Sequence, residues 1–259
     1  MSDVVLLEIR DRIATVTLNR PEARNALSSE VLRALTARLG EADGSDDVDV
    51  VILTGADPAF CAGLDLKELG SSARNLGGGA GPSTPATNRL QGPFPQMTKP
   101  VIGAINGVAI TGGFELALNC DFLVASERAK FGDTHARVGV MPGWGLTVLL
   151  PQAIGVRRAR EMSFTGNFVG AAEALQLGLV NRVVAHADLL PTARQLALDI
   201  IGNDQPGVRQ IRRTYAAITR DQSGWDIEAT DGAAWRRSMF SADKVAERRD
   251  GIMSRGRDQ

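Results

Sequence analysis

The chain has 259 residues, of which 44% are apolar and 23% charged, with a formal net charge of −1. That is ordinary for a globular protein of one large or two small domains, long enough to bury a core without staples. It argues against nucleic-acid binding, which needs a basic footprint, and only two cysteines and two histidines leave too few ligands for a disulfide framework, a structural zinc site or a His-rich metal centre.

Val4–Ile9 and Ile13–Leu18 are short β-branched runs parted by Arg10-Asp11-Arg12, and they predict a hairpin. Pro21 and Asn25 mark a turn. Ser28 is placed as an N-cap, with Val31, Leu32, Leu35 and Leu39 following at helical spacing. Val48–Leu53 reads as a buried strand. A small-residue turn, Ala59 to Asp65, then opens a short helix. Residues 70–85, rich in Gly, Ser and Pro, read as a flexible loop or a mobile wall over a ligand.

Lys99-Pro100 precedes a strand, Val101–Ile105, and Gly107, Gly112 and Gly113 lead into a helix, Phe114–Asn119. Phe122–Ala125, Phe131–Gly132 and Val180–Val184 are further strand candidates. Leu146–Ile154, Arg157–Phe164 and Ala171–Leu177 read as helices. From Leu189 only helical patterns occur: Leu189–Ile201, Pro206–Ile218, Trp225–Arg237 and Asp243–Ser254. The change near residue 190 divides the chain into a first part, 1–190, of α/β character and a helical region, 191–259. The latter is too small and too charged for a core of its own and is expected to pack on the first part or on another subunit.

No secretory leader is visible at the N-terminus, and no charge-free apolar stretch of spanning length occurs. A cytoplasmic protein that engages neither membrane nor nucleic acid is expected.

The sequence lacks a phosphate loop, a dinucleotide fingerprint and a nucleophile elbow. Two small-residue turns remain, Phe60 to Leu66 and Gly107 to Glu115. Facing each other, they would offer two backbone N–H donors to a developing oxyanion; ordinary tight turns are the alternative. Glu115 stands in an apolar stretch, where burial would raise its pKa towards that of a neutral-pH acid or base. A solvent-facing glutamate at a helix N-terminus is the alternative. Cys61 and Cys120 read as buried small residues, His186 as exposed. Trp144 could line an acyl pocket or pack in the core. Trp225, Trp235 and Phe240 are placed in an interface or core. Arg209, Arg212 and Arg213 form a basic helix face, solvated or aimed at a phosphate.

Seven segments in order carry a resemblance: Asn19 to Leu27, Phe60 to Glu68, Lys99 to Gly107, Gly112 to Leu118, Cys120-Asp121, Pro142 to Gly145, and Ala171 to Asn181. Together they resemble the crotonase, or enoyl-CoA hydratase/isomerase, superfamily. The resemblance implies a ββα spiral core, a helical C-terminal region that mediates trimer formation, pairing of trimers into hexamers, and an acyl-CoA thioester substrate without a separate cofactor or metal. It implies an oxyanion hole from the N–H groups of Leu64 and Gly112. The backbone around Arg24, Ala26, Ala62, Gly63, Leu64, Asp65 and Leu66 would hold the CoA moiety, and Glu115 would match the first catalytic glutamate of the hydratases. The second glutamate position is filled by His135. Asp133, two residues earlier, is expected to point elsewhere if the segment is extended. Hydration of a 2-enoyl-CoA, double-bond isomerisation, and a decarboxylation or C–C cleavage that uses the same enolate remain open. So does a non-catalytic acyl-CoA- or RNA-binding protein on the same scaffold.

Overall fold

The computed structural model describes residues 4–71, 75, 92–219 and 222–257. Apart from residues 70, 71 and 75, the loop expected over 70–85 lies outside the described residues. Two sheets carry the fold. The larger has six strands in the order β1 (Val5–Arg10), β2 (Ile13–Leu18), β3 (Val50–Gly55), β5 (Val101–Ile105), β7 (Phe122–Ser126) and β10 (Arg182–Val184). The smaller has four: β4 (Ala59–Cys61), β6 (Val108–Ile110), β8 (Lys130–Gly132) and β9 (Val169–Gly170).

The hairpin forms as expected, β1 antiparallel to β2, and the remaining strands of the large sheet run parallel. Buried on both faces, β3 and β5 have no polar side, which accounts for their unbroken apolar runs. Each passage of the chain lays one strand in the large sheet, one in the small sheet and then a helix: β3 and β4 before Leu66–Ser71, β5 and β6 before Gly112–Leu118, β7 and β8 before His135–Val138. This is the expected ββα spiral. The segments 59–65 and 107–115, read as turns, each hold a three-residue strand near their start. Three residues are too few to display a period of two, and flanking glycines disguise them.

The helix Ser29–Gly44 starts where Ser28 Oγ accepts the Val31 N–H at 3.3 Å. Its buried Val31, Leu32, Leu35 and Leu39 face the large sheet in the main core cluster. Its C-terminus is closed by a buried cation, as Lys99 Nζ donates to the Ala42 and Ser45 carbonyls. The other sheet face is covered by Leu189–Ile201, a helix that runs across position 190 and packs Leu189, Ala193 and Ala197 against Ile13, Val50, Ile52, Ile102 and Val124.

At its first two arginines the basic face of helix Gln205–Thr219 is engaged in ion pairs, with Arg209 still partly solvated. Arg209 pairs with Asp49 at 3.1 Å and Arg212 with Asp121 at 2.8 Å, just before β3 and β7 begin. These bonds pin the helix to the N-terminal edge of the sheet. His186 is not exposed as expected: Nδ1 bonds Ser126 Oγ and Nε2 bonds Asp57 Oδ2, both at 3.0 Å. Ser126 is completely buried, so this chain ties the ends of three turns together and presents no nucleophile. Among the described residues no helix is long and apolar enough to cross a membrane.

Candidate active site

The small sheet assembles the site. Because β4, β6 and β8 pair in parallel, the loops that leave their C-terminal ends lie side by side. These loops carry, in order, Ala62 to Asp65, Thr111 to Glu115, and Asp133 to His135. The contact between the first two is close. Gly63 has φ +80°, and a Cβ there would fall 2.8 Å from the Ile110 carbonyl oxygen. A Cβ on Gly113 would fall 2.3 Å from the Cys61 carbonyl oxygen, so only glycine lets the helix Gly112–Leu118 begin this near β4.

The segment Arg20 to Leu27 is stitched alongside. Ala62 N–H donates to the Arg24 carbonyl, Leu27 N–H to that of Gly63, and Asp65 N–H to that of Leu27. In this bridge Leu27 exchanges bonds with residues 63 and 65, so the N–H of Leu64 faces the opposite side. Among the described residues neither the Leu64 nor the Gly112 N–H has a protein acceptor. Asn25, fully buried, fixes the segment: its Oδ1 accepts the Arg20 N–H, and its Nδ2 donates to the Ala56 and Ala59 carbonyls. Asp65 caps the helix Leu66–Ser71 through the Lys67 and Glu68 N–H groups and pairs with Arg20 at 3.2 Å.

A cavity of about 640 Å³ opens in front of these loops. Arg24, Ala26, Ala62, Leu64, Asp65 and Leu66 line it, together with Thr111 and Thr134. Its outer wall comes from Phe168 and from Arg249, Ile252 and Met253 of the helix Ala242–Arg257. Gly63, Gly112, Glu115, His135 and Trp144 are not among its lining residues. The Trp144 ring packs over Gly92 and Gly112, where an added Cβ would meet it at 2.3 and 2.9 Å.

Behind Thr111 and Thr134 lies a buried chain of three titratable side chains. Glu115 Oε2 stands 3.4 Å from His135 Nε2, and His135 Nδ1 stands 2.6 Å from Asp133 Oδ1. All three are at most 4% exposed. Asp133 therefore does not point elsewhere. The chain turns at Thr134 (φ −109°, ψ 16°) instead of staying extended, and Asp133 Oδ1 folds back onto both the N–H and the ring of His135. Burial opposes the charged imidazole, but the Glu115 charge and the Asp133 hydrogen bond outweigh it, and the His135 pKa rises to about 10. Burial likewise pushes Asp133 up, but its bond to His135 prevails and holds it below the ordinary carboxylate value. At neutral pH the histidine is a cation, with Asp133 on one side and Glu115 on the other.

The other Glu115 oxygen accepts the N–H groups of Trp144 at 2.7 Å and Gly143 at 3.2 Å. The side-chain amide of Asn119 holds the Trp144 carbonyl at 2.9 Å.

A profile of the enoyl-CoA hydratase/isomerase family matches residues 8–252. The chain belongs to that family. An enoyl-CoA hydratase of Mycobacterium smegmatis is similar in structure at 52% identity and a TM-score of 0.81, with 92% of this chain and 100% of that chain covered. The short-chain-enoyl-CoA hydratase of Clostridium acetobutylicum is 38% identical over 206 residues, 79% of this chain and 78% of its own. A monofunctional enoyl-CoA isomerase of M. smegmatis is similar at 36% identity and a TM-score of 0.69, covering 86% of this chain and 98% of that one. The expected superfamily and fold are thereby borne out, and the protein is an enzyme of the hydratase family.

Within this enoyl-CoA hydratase/isomerase member, sequence reasoning missed Asp133 as the partner of His135, and also Asn25, Asn119 and Glu228. Glu228, on the helix Gln222–Ser238, is 5% exposed and accepts the N–H groups of Gly145 at 2.6 Å and Thr147 at 2.8 Å. Its only trace in the sequence is the spacing Trp225-x-x-Glu228, which puts a glutamate on the face of a buried aromatic. Cys61 and Cys120 are buried as expected, and burial pushes the Cys61 thiol to about 12, which leaves no thiolate at neutral pH.

Proposed function

We propose that the protein adds water across the double bond of a trans-2-enoyl-CoA to give the 3-hydroxyacyl-CoA. The observation that carries the reading is the contact of Glu115 with a charged His135. Two proton carriers stand together there, one basic and one acidic, as addition of water requires. The acyl thioester enters the cavity with its carbonyl oxygen at the N–H groups of Leu64 and Gly112, and Arg24, Ala26 and Ala62 to Leu66 hold the CoA moiety.

Glu115 takes a proton from water as its oxygen bonds Cβ. The π electrons move to the thioester oxygen, where the two N–H groups stabilise the enolate, each worth roughly 3 kcal/mol. The imidazolium of His135 then gives its proton to Cα, and the carbonyl re-forms. Glu115 is left protonated and His135 neutral, and one proton passed from Oε2 to Nε2 across their contact restores both. The thioester and the two N–H donors supply the electron sink, so the reaction calls for neither a metal nor a redox cofactor.

Isomerisation is the second reading, favoured by the similarity to the isomerase. It needs one group to move one proton between carbons, and the second carrier at His135 is what tips the reading to hydration. The deciding experiment follows the absorbance of the conjugated enoyl thioester with crotonyl-CoA and a longer 2-enoyl-CoA. Wild type should bleach it, and Glu115→Gln should not, while still binding a saturated acyl-CoA. Full activity in Glu115→Gln, or no bleaching by wild type, overturns the reading.

A trimer, or a hexamer of two trimers, is part of the same proposal. Support comes from helix Gln205–Thr219, which leaves Ile211, Tyr215 and Ile218 exposed at the spacing of one helical face. A reducing, cytoplasmic setting accords with the two free cysteines.

A further inference from the structure

Helix Gln222–Ser238 meets the strand of chain that holds the catalytic pair at four points. The Trp225 ring packs on Gly145, where an added Cβ would lie 2.1 Å away. Glu228 accepts the N–H groups of Gly145 and Thr147 and bonds the Thr147 hydroxyl. A Cβ on Gly232 would stand 3.3 Å from the Pro142 carbonyl oxygen, and Trp235 Nε1 donates to the Gly139 carbonyl at 3.0 Å. Residues 225, 228, 232 and 235 fall on one helical face, and their contacts run backwards along the chain from Thr147 to Gly139.

That stretch joins the two proton carriers. At one end, Gly139 closes the helix His135–Val138 by donating to the His135 carbonyl. Near the other, Gly143 and Trp144 donate to Glu115. The turn at Trp144 and Gly145 is thus gripped by two carboxylates from opposite sides, Glu115 from the spiral and Glu228 from the C-terminal helix. The helix Leu146–Ile154 has no side-chain cap of its own, since Gly145 occupies that position, and Glu228 supplies the missing acceptor from far along the chain.

We infer that Glu228 is a positioning residue for the proposed hydration. By fixing the 145–147 turn it sets where the Gly143 and Trp144 N–H groups hold Glu115, and with Trp235 it sets the distance from Glu115 to His135. The inference rests on the reading of Glu115 and His135 given above. A glutamine at this position retains the shape but turns an NH2 towards one of two N–H donors, so one bond is lost and the turn shifts.

The test compares wild type, Glu228→Gln, Trp235→Phe, Glu115→Gln and, on the exposed side of the same helix, Ile227→Ala. Glu228→Gln is expected to lower kcat at least tenfold with KM within threefold. Its basic pH limb, which His135 governs, should move to lower pH as Glu115 is displaced: His135 owes its raised pKa to Glu115 and Asp133, and Glu228, whose own pKa is raised by burial and by the Glu115 charge, is the third carboxyl group of the cluster. Trp235→Phe should move the limb the same way, and Ile227→Ala should change nothing. A purely structural role would lower the melting temperature and leave the limb in place. If Glu115→Gln is dead while Glu228→Gln retains kcat within twofold and an unmoved limb, the inference is overturned. If Glu115→Gln is active, the underlying reading fails instead. Should Glu228→Gln not fold, the limb of Trp235→Phe decides alone.

Discussion

Glu115 and His135 stand 3.4 Å apart in a setting almost closed to solvent, and Asp133 fixes the far side of the imidazole at 2.6 Å. This couples activity and stability to one titration. The folded His135 pKa, about 10, lies above the ordinary value of 6.5. The group's contribution to stability is therefore complete below about pH 6.5 and is lost as pH rises through about 10. The proposed hydration should show a basic limb near the same upper value, because on that mechanism the imidazolium donates the Cα proton. The denaturation midpoint, measured from pH 6 to 11, should decline between about pH 6.5 and 10, and the rate should decline from about pH 10 upward. A flat rate up to about pH 11 would remove His135 from the reaction.

Asp133→Asn tests the relay from the other side. The asparagine still offers an oxygen to the His135 N–H but carries no charge, so the imidazolium loses one of its two anionic neighbours. The basic limb should move to lower pH, and turnover at pH 8 should fall roughly 10- to 100-fold, at or below the low end of one acid–base contribution, since the imidazole itself is retained. Steady-state rates at several pH values give the answer.

Asn25 carries the segment that meets the cavity. Asn25→Ala removes three hydrogen bonds from a buried site and places alanine at φ +56°, a left-handed conformation it adopts poorly. A loss of about 2–4 kcal/mol is expected, partly from polar groups left unpaired. Urea denaturation would measure it. Affinity for a saturated acyl-CoA should weaken in parallel, because Arg24 and Ala26 border the cavity on this segment.

The apolar face of helix Gln205–Thr219 gives a prediction about assembly. Light scattering of wild type should return three or six times the chain mass, and Tyr215→Glu with Ile218→Glu should lower it. A wild-type monomer would contradict the proposed trimer.

Much of this was readable beforehand, and the failures have a pattern. The hairpin, the capped helix after Ser28 and the C-terminal helices all carry long periodic signals, and they stand where the sequence placed them. The β4 and β6 strands are too short to carry a period, yet they align the loops. Glu115 and His135 became candidates because the family resemblance put them at the two glutamate positions of the hydratases, the second of them a departure. Asp133 was misjudged because extended backbone was assumed, whereas Thr134 turns the chain at once. Arg209 and Arg212 looked like a solvated face because their partners, Asp49 and Asp121, are distant in sequence. Local patterns reveal local structure, and the groups that orient the site act across long separations.

The bond between Gly145 and Glu228 spans 83 residues. Closing so long a loop costs entropy that the packing of helix Gln222–Ser238 on residues 139–147 has to offset. During synthesis Glu115 and His135 leave the ribosome well before Glu228. On the inference drawn above, the two proton carriers and the residue that aligns them are thus made at separate times, and the site is complete only once helix Gln222–Ser238 has packed.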